Sequence, residues 1–411
     1  MITHTPAAAG APRGSLGFAL ILLLALLTAL DAMAIDMYLP AMPTIADVFG
    51  ASPARVQQTL SVFLAGLAVG QAFYGPLLDR YGRRLPLLAG LVMFVLGSVL
   101  AAQAASVEAL LAARFLQALG AAGGLVTPRA IVADRCDVAE SSRIFSLLMQ
   151  FMMTAPILAP LLGGYLLGHG GWRFIFWTLA GLGLLGLAWC LAALPDTLPP
   201  DRRVPLRPGT IARGYGRQMA SPVFMAYTLA GGCILGSLFL YISSSAFVFT
   251  EHFRLTPAQF SYLFAANSVA LVLGGHVGNV LLRRGVHPRH TLYIGIALHG
   301  LAGLGLYLIV QAGGASLEVY IALLALAVGA LGLIFGNLTA LTMASAGRQV
   351  GVASALMGSL HYLLSAVIGY LASLAAAGPA ALPAAIAVCA ALAGGLCLVA
   401  SRLAGRAGAT G

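Results

Sequence analysis

Three ionisable residues lie inside long apolar stretches of the sequence. Asp31 and Asp36 fall in the apolar run near residues 16–39, and Arg114 falls in the run near 109–132. An ionisable side chain inside a bilayer costs about 2.5–3.5 kcal/mol on insertion scales, so it faces a cavity or a partner. A rise of about 1.5 Å per helical residue places Arg114 at a depth between those of the two carboxylates. The spacing predicts a cation on one helix at the level of two carboxylic acids on another.

Such a group of charges could bind and release a proton. A carboxylate that faces a cation can exchange this interaction for a proton when a substrate arrives; the alternative is a fixed ion pair that only orders the helices. Asp31 lies about 140° around a helix from Asp36, so the two side chains point in different directions. We predict that Asp31 binds a cationic part of a substrate or carries a second proton. The alternative is that it is exposed to water in the cavity and has no role.

The composition indicates a membrane protein. Of the 411 residues, 60% are apolar and 8% are charged, whereas a soluble domain carries about 25% charged residues. This difference excludes a water-soluble enzyme and a disordered or fibrous protein. A helix that spans a bilayer needs about 20 apolar residues, so a chain of this length can cross many times. The sequence therefore predicts an all-α polytopic membrane protein with twelve transmembrane helices.

Twelve apolar runs, bounded by Arg, Pro and Gly, are the candidate spans. They lie near residues 16–39, 55–78, 85–104, 109–132, 144–167, 172–194, 222–247, 258–282, 289–311, 317–343, 351–375 and 380–402. The first run resembles a signal peptide, because Arg13 precedes it and residues 32–34 (AMA) resemble a cleavage site. Carboxylates flank that tripeptide, and cleavage would leave an odd number of spans. We therefore expect this helix to be retained.

The arginines predict the orientation of the spans. All 22 basic residues are Arg, and cytoplasmic loops of membrane proteins are enriched in basic residues. With the amino terminus inside, 18 arginines lie in or beside cytoplasmic segments, and three (Arg55, Arg173 and Arg254) lie outside. Both termini are therefore predicted to be cytoplasmic. No basic stretch stands apart from a span, so nucleic acid is not expected as a partner.

A hydrophilic stretch near the middle divides the chain. Residues 195–221 are predicted to form a cytoplasmic linker between two six-helix halves, residues 1–194 and 222–411. Residues 75–82 (GPLLDRYG) close the second span, and residues 278–285 (GNVLLRRG) close the eighth. Gly, Arg and Gly fall in register in these two segments. This internal symmetry predicts that the halves are repeats of one unit.

Four motifs connect the chain to a known family. They are residues 36–43 (DMYLPAMP), 75–84 (GPLLDRYGRR), 114–120 (RFLQALG) and 155–164 (APILAPLLGG). Together they resemble the major facilitator superfamily, and in particular the bicyclomycin-resistance (Bcr/CflA) branch of its twelve-span drug:proton antiporters. Family members consist of two pseudo-symmetric six-helix halves that rock about a central site. The resemblance covers essentially the whole chain and implies this major facilitator fold.

The resemblance also implies roles for residues in these motifs. It assigns proton coupling to Asp36 and Arg114. It implies a cytoplasmic gate; the alternative is that the charges of this group only set the topology. The gate residues are Gly75, Asp79, Arg80, Gly82, Arg83, Arg84 and Asp134.

The motif in the fifth span implies a tight, leak-resistant helix contact that favours antiport. Its residues are Pro156, Pro160, Gly163 and Gly164. Prolines bend a membrane helix and glycines allow close packing. Ala159 stands where the family usually has Gly. The alternative is an ordinary kinked helix.

Polar residues in several spans are candidates for substrate binding. Together with Asp31, they are Tyr38, Gln117, Asn267, Asn337 and His361. His361 stands where the branch is expected to have Gln, so it could contact substrate or sense pH. The alternative is a histidine that only forms a hydrogen bond between helices.

The sequence contains neither a P-loop nor a dinucleotide motif, and its five cysteines lack metal-ligand spacing. We therefore expect no cofactor, no metal and no enzymatic activity, with a proton gradient as the energy source. The resemblance implies an antiporter of a bacterial inner membrane that exports bicyclomycin-, chloramphenicol- or sulfonamide-like compounds. Its partners would be the small-molecule substrate, protons and the lipid bilayer. The alternative is a proton-coupled metabolite exporter or nutrient symporter. A monomer is expected because each chain contains both halves.

Overall fold

The structure, a computed structural model, describes residues 17–136, 138–198, 203, 208–346, 350–374 and 378–409. Arg13 and the start of the chain lie outside these ranges, whereas residues 32–34, which resemble a cleavage site, lie inside a described helix. Linker residues 199–202 and 204–207 also lie outside the described ranges.

Helices make up almost all of the described chain. A short 3₁₀ turn at Leu39–Ala41 and a π-helical turn at Val248–His252 interrupt the α-helical pattern. The α-helices are α1 Phe18–Asp36, α2 Met42–Phe49, α3 Pro53–Tyr81, α4 Arg84–Ala102, α5 Val107–Arg135, α6 Val138–Ala193, α7 Pro208–Met219, α8 Pro222–Phe247, α9 Pro257–Arg283, α10 Pro288–Gln311, α11 Leu317–Ala344, α12 Val350–Leu374 and α13 Ala381–Ala409.

The described helices cross a membrane twelve times. Eleven stretches are long and apolar enough to span a bilayer, and one of them, Arg143–Ala193, is 51 residues long. Within it, Gly171 has φ 71° and breaks α6 into two helices. At one end of the bundle, Arg173 donates to the carbonyl of Ala104. At the opposite end, Arg84 donates to the carbonyl of Leu191. The second part of α6 therefore runs back across the bundle, as the spans at 144–167 and 172–194 predict.

The two ends of the bundle carry different arginines. The Arg-rich end carries Arg80, Arg83 and Arg84, and the far end carries Arg55 and Arg173. Four helices that start at the far end begin with hydroxyl caps, which accept from backbone N–H groups that the helix cannot pair. The capping residues are Ser52, Ser106, Thr256 and Ser316, which precede α3, α5, α9 and α11.

The two repeated motifs end in glycines that share a positive φ. Gly82 follows α3 with φ 84°, and Gly285 lies at the equivalent position after α9, also with φ 84°. A positive φ of this size is readily adopted only by glycine. The register read from the sequence therefore corresponds to a repeated turn in the structure.

The two six-helix sets, α1–α6 and α8–α13, contact each other along two helix pairs. On one side, α3 packs against α12, and Gln58 donates to Ser373 at 3.2 Å. On the other side, α6 packs against α9, and Ser268 donates to the carbonyl of Pro156 at 3.1 Å. The halves are therefore joined through α3 and α12 and through α6 and α9.

The linker contains a helix, α7, in addition to the predicted spans. Tyr215 on α7 donates to the Ala72 carbonyl of α3 at 3.2 Å. Gly214 lies close to Val352 of α12. The linker helix thus touches both halves at the Arg-rich end.

Candidate functional site

Asp36 is the last residue of α1 and lies in the interior, with 3% of its surface exposed. The helix ends here because Pro40, four residues later, has no N–H to donate to the Asp36 carbonyl. The expected span continued to residue 39, so Asp36 lies nearer a helix end than the sequence suggests. Among the described residues, its carboxylate takes part in none of the four ion pairs and accepts no hydrogen bond.

Arg114 of α5 is fully buried, but it is not paired with either carboxylate of α1. Its Nη1 atom donates to the carbonyl of Ala34 at 2.9 Å and to Oε1 of Gln117 at 2.7 Å. Its guanidinium lies 4.1 Å from the ring centroid of Phe63 and 4.9 Å from that of Tyr38. Among the described residues, neither Nε nor Nη2 has a hydrogen-bond partner. The expected Asp36–Arg114 ion pair is therefore not formed in this structure, because the cation points into an aromatic cage within the first half.

Asp31 interacts electrostatically with a cation that the sequence analysis did not select. That cation is Arg129, on the part of α5 nearer the Arg-rich end, and both groups also interact with Tyr362 of α12. Asp31 is 4% exposed, and its Oδ1 atom is buried without a hydrogen-bond partner. The sequence does place Arg129 inside the span predicted at 109–132. In the sequence analysis, this arginine contributes only to the predicted orientation.

Asp36 faces the second half, where its neighbour is a tyrosine. It interacts electrostatically with Tyr241 of α8 and with Asp31 on its own helix. Tyr241 accepts a 3.1 Å hydrogen bond from Asn267 and stacks on Phe264 at 5.3 Å between ring centroids. The two carboxyl groups of α1 therefore lie where the halves meet. Of the predicted substrate-binding residues, the structure brings Asn267 into this group.

The other predicted substrate-binding residues lie elsewhere. Tyr38 shares a 2.8 Å hydrogen bond with Thr59, and Gln117 donates to Ser98 at 2.8 Å, so both are engaged inside the first half. Asn337 donates to the carbonyl of Leu333, four residues earlier on its own helix, at 2.7 Å.

His361 is the exception among these polar residues. It lies on α12 against Gly231 of α8, and its Nε2 atom is buried without a partner. The ring of His361 also forms a hydrogen bond with the backbone of Thr228 on α8, which is the contact between helices that the alternative interpretation describes. His299, by contrast, has both ring nitrogens at 2.8 Å from partners, Ser237 and the carbonyl of Ala327.

The charged residues at the Arg-rich end form a network. Arg83 contacts Asp79 through Nη1 at 2.8 Å and Asp134 through Nε at 2.8 Å. Burial disfavours the charged guanidinium, but the hydrogen bonds to these carboxylates outweigh it and raise the pKa of Arg83 above its usual value. The network joins the ends of α3 and α5 to the start of α4 within the first half. Of the other predicted gate residues, Arg80 lies over the Tyr81 ring and no side chain contacts the Cβ position of Gly75.

The segment after α6 closes over this network. Asp196 accepts from the backbone N–H of Arg83 at 2.9 Å and pairs with Arg203 at 2.8 Å. Thr197 donates to Asp134 at 3.0 Å. A Cβ at Gly82 would overlap the carboxylate of Asp196, so this glycine is needed for space as well as for its φ. Neither Asp196 nor Thr197 was selected from the sequence.

The motif of α6 is in contact with both halves. A Cβ added at Gly163 would overlap the carbonyl oxygen of Met37, directly after Asp36. A Cβ at Gly164 would lie 2.5 Å from the hydroxyl oxygen of Ser261 on α9. The two adjacent glycines therefore allow α6 to approach the carboxyl-bearing end of α1 and the second half at the same level.

Two buried carboxyl groups thus lie between two six-helix halves, and comparison with known proteins identifies the family. A sequence model described as Major Facilitator Superfamily matches residues 24–370. The chain belongs to this superfamily. It is a multi-pass membrane transporter of a small-molecule substrate and not an enzyme.

Relatives and solved structures agree with this assignment. An uncharacterized major-facilitator-type transporter of Bacillus subtilis, YdgK, is 35% identical over 87% of this chain and 89% of its own length. A bicyclomycin resistance protein homolog of Haemophilus influenzae is 29% identical over 86% and 88%. The crystal structure of a D-xylose-proton symporter has a TM-score of 0.75 at 13% identity, and the match covers 92% of this chain and 97% of that one. This structure shows that the fold is shared.

Proposed function

We propose that this transporter is a proton-driven antiporter that exports small amphipathic, antibiotic-like compounds across a bacterial inner membrane. The observation that carries the proposal is the pair of buried carboxyl groups, Asp31 and Asp36, at the junction of the halves. The similarity to a bicyclomycin resistance protein homolog supports antibiotics as the substrate class. The α6 motif supports exchange rather than cotransport.

Asp36 is the proton carrier in this proposal. Its electrostatic neighbours are Asp31 and Tyr241, and no cation of the described chain balances its charge. A proton can supply that balance, and its release leaves a carboxylate facing the second half. Asp31 already interacts with Arg129, so a cationic substrate group can take the place of that arginine. In this proposal, Asp36 binds the proton and Asp31 binds the cationic group of the substrate.

The Arg-rich end is the cytoplasmic end in this proposal, with both termini inside the cell. The arginine distribution supports this orientation. A proton that enters from the far end would neutralise Asp36 and release substrate outward as the halves rock about the site. A monomer is sufficient, because both halves belong to one chain.

Proton movement in inside-out vesicles tests this function. Respiration acidifies the lumen, and antibiotics and metabolites are added one at a time to vesicles with the parent protein or Asp36→Asn. We expect one or more compounds to alkalinise the lumen in the parent and not in the variant. A compound that binds the parent protein without moving protons would contradict antiport and indicate facilitated diffusion or another coupling ion.

A further inference from the structure

One inter-half hydrogen bond depends on a proline of the α6 motif. Pro160 has no N–H, so the carbonyl of Pro156, four residues earlier, has no donor within α6. Ser268 of α9 supplies the donor instead, with its hydroxyl 3.1 Å from that carbonyl. Because α6 and α9 belong to different halves, this bond exists only while the two helices are in contact.

The same pairing of a free carbonyl with a hydroxyl occurs at one other proline. Membrane helices tolerate proline when neighbouring side chains satisfy the backbone groups that it leaves unpaired. That pair is Tyr215 with the carbonyl of Ala72, four residues before Pro76. Within the second half, Tyr320 of α11 donates to the carbonyl of Pro379 in the turn before α13, and this bond provides a control.

Ser268 has a second acceptor on its own helix. Its hydroxyl lies 3.0 Å from the carbonyl of Phe264, four residues earlier, as well as 3.1 Å from that of Pro156. A single hydroxyl proton serves both acceptors. When the halves separate, the hydroxyl can bond fully to Phe264 and is never left unpaired. Only the Pro156 carbonyl then needs water.

We infer that Ser268 is a positioning residue of the transport cycle. Its bond to the carbonyl that Pro160 leaves free favours the state in which α6 and α9 are closed on each other. Ser261 and Ser268 lie on the part of α9 nearer its start, so this contact closes the far end of the bundle. Within the motif, Pro160 thus provides a state-dependent acceptor in addition to a bend. The inference needs neither proton coupling nor a known substrate.

Cysteine labelling of the purified protein in nanodiscs tests the inference without substrate. A reporter at Ser261→Cys lies against Gly164 and is reached by a hydrophilic maleimide only when α6 and α9 separate. Mass spectrometry distinguishes it from the five native cysteines, which are buried. Loss of one net hydrogen bond is expected to make the reporter react roughly two- to tenfold faster in Ser268→Ala. Tyr320→Phe, which removes a hydroxyl-to-carbonyl hydrogen bond inside one half, is expected to leave the rate unchanged.

A second reporter separates a shift of states from general loosening. Gln71→Cys lies at the contact between α3 and Gly358 of α12, nearer the Arg-rich end. If Ser268→Ala favours opening of the far end, this reporter is not expected to react faster in that variant. Faster reaction at both reporters would show loss of structure and would overturn the inference.

The effect of Ser268→Ala in a variant that lacks Pro160 is the deciding comparison. Pro160→Ala restores an N–H for the Pro156 carbonyl, so Ser268→Ala is expected to have no further effect on labelling in that variant. Ser268→Thr keeps the hydroxyl and is expected to label at the parental rate. An unchanged rate in Ser268→Ala alone, or an equal effect with and without Pro160, would contradict the inference.

Discussion

Arg114 holds its charge among aromatic rings and carbonyl oxygens rather than beside a carboxylate. Its depth on α5 was predictable from the sequence because depth follows from residue count. Its direction was not, because it depends on how α5 is rotated against α1 and on the rings of Phe63 and Tyr38. The contact that the sequence suggested with Asp36 is replaced by one with the carbonyl of Ala34, two residues earlier.

Arg114→Lys is expected to destabilise the protein. Lysine cannot keep the planar contact with Phe63 together with the bonds to Ala34 and Gln117, so the free energy of unfolding should fall by about 1–3 kcal/mol. Thermal unfolding of the purified protein measures this loss. Asp36→Asn is the matched control, because it removes no ion pair and is expected to leave the melting temperature unchanged. Equal losses in both variants, with no further loss when they are combined, would mean that the two residues act as a pair.

Asp31→Asn is expected to weaken the binding of cationic substrates much more than that of neutral ones. A charged hydrogen bond contributes about 1.5–3 kcal/mol, so a cationic compound should bind about 10- to 100-fold more weakly, while a neutral compound is little affected. Titration of the purified variant with one compound of each kind measures the difference. Unchanged binding of every compound, together with an unchanged pH dependence of transport, would remove Asp31 from the site.

At the scale of the elements, α6 connects the carboxyl-bearing end of α1 to the second half. Gly163 lies against the carbonyl of Met37, one residue after Asp36, and Gly164 lies against Ser261. A shift of α9 relative to α6 can therefore reach the end of α1 through the contacts of these two glycines. This connection explains why the two glycines are adjacent in the sequence and face different neighbours.

Gly163→Ala is expected to impair transport strongly. The added methyl overlaps the Met37 carbonyl, and overpacking of this kind costs about 1–3 kcal/mol or forces the end of α1 to move. Gly168→Ala, on the same helix, adds a methyl where no atom lies within 4 Å and should leave transport unchanged. Efflux from cells that contain equal amounts of each variant compares the two. Parental transport by Gly163→Ala would show that the position of α1 relative to α6 is unimportant.

Most helices could be predicted from the sequence, because apolar length and flanking Pro, Gly and Arg determine where a membrane helix starts and ends. The span at 222–247 coincides with α8, and the break between the two parts of α6 falls at Gly171. Helix α7 was not foreseen, since it is short and polar and gains stability from its contacts with α3 and α12.

At the scale of the whole molecule, the site depends on contacts between helices that are distant in the sequence, and no short sequence motif reveals them. Asn267 was selected from the sequence and joins Tyr241 near Asp36, whereas Arg129 and Tyr362 become part of the site only when α5 and α12 meet α1. The network of Asp79, Arg83 and Asp134 lies within the first half and its linker, so its contribution to gating between the halves stays a prediction.

Proton release when a substrate binds to the purified transporter in weakly buffered solution tests directly whether Asp36 carries the exchanged proton. The substrate is a compound that moved protons in the vesicle experiment, and binding is followed in parallel by calorimetry. We expect the parent protein and Arg114→Lys to release protons on binding, and Asp36→Asn to bind without releasing them. Undiminished proton release by Asp36→Asn at the same occupancy would show that Asp36 does not carry the exchanged proton.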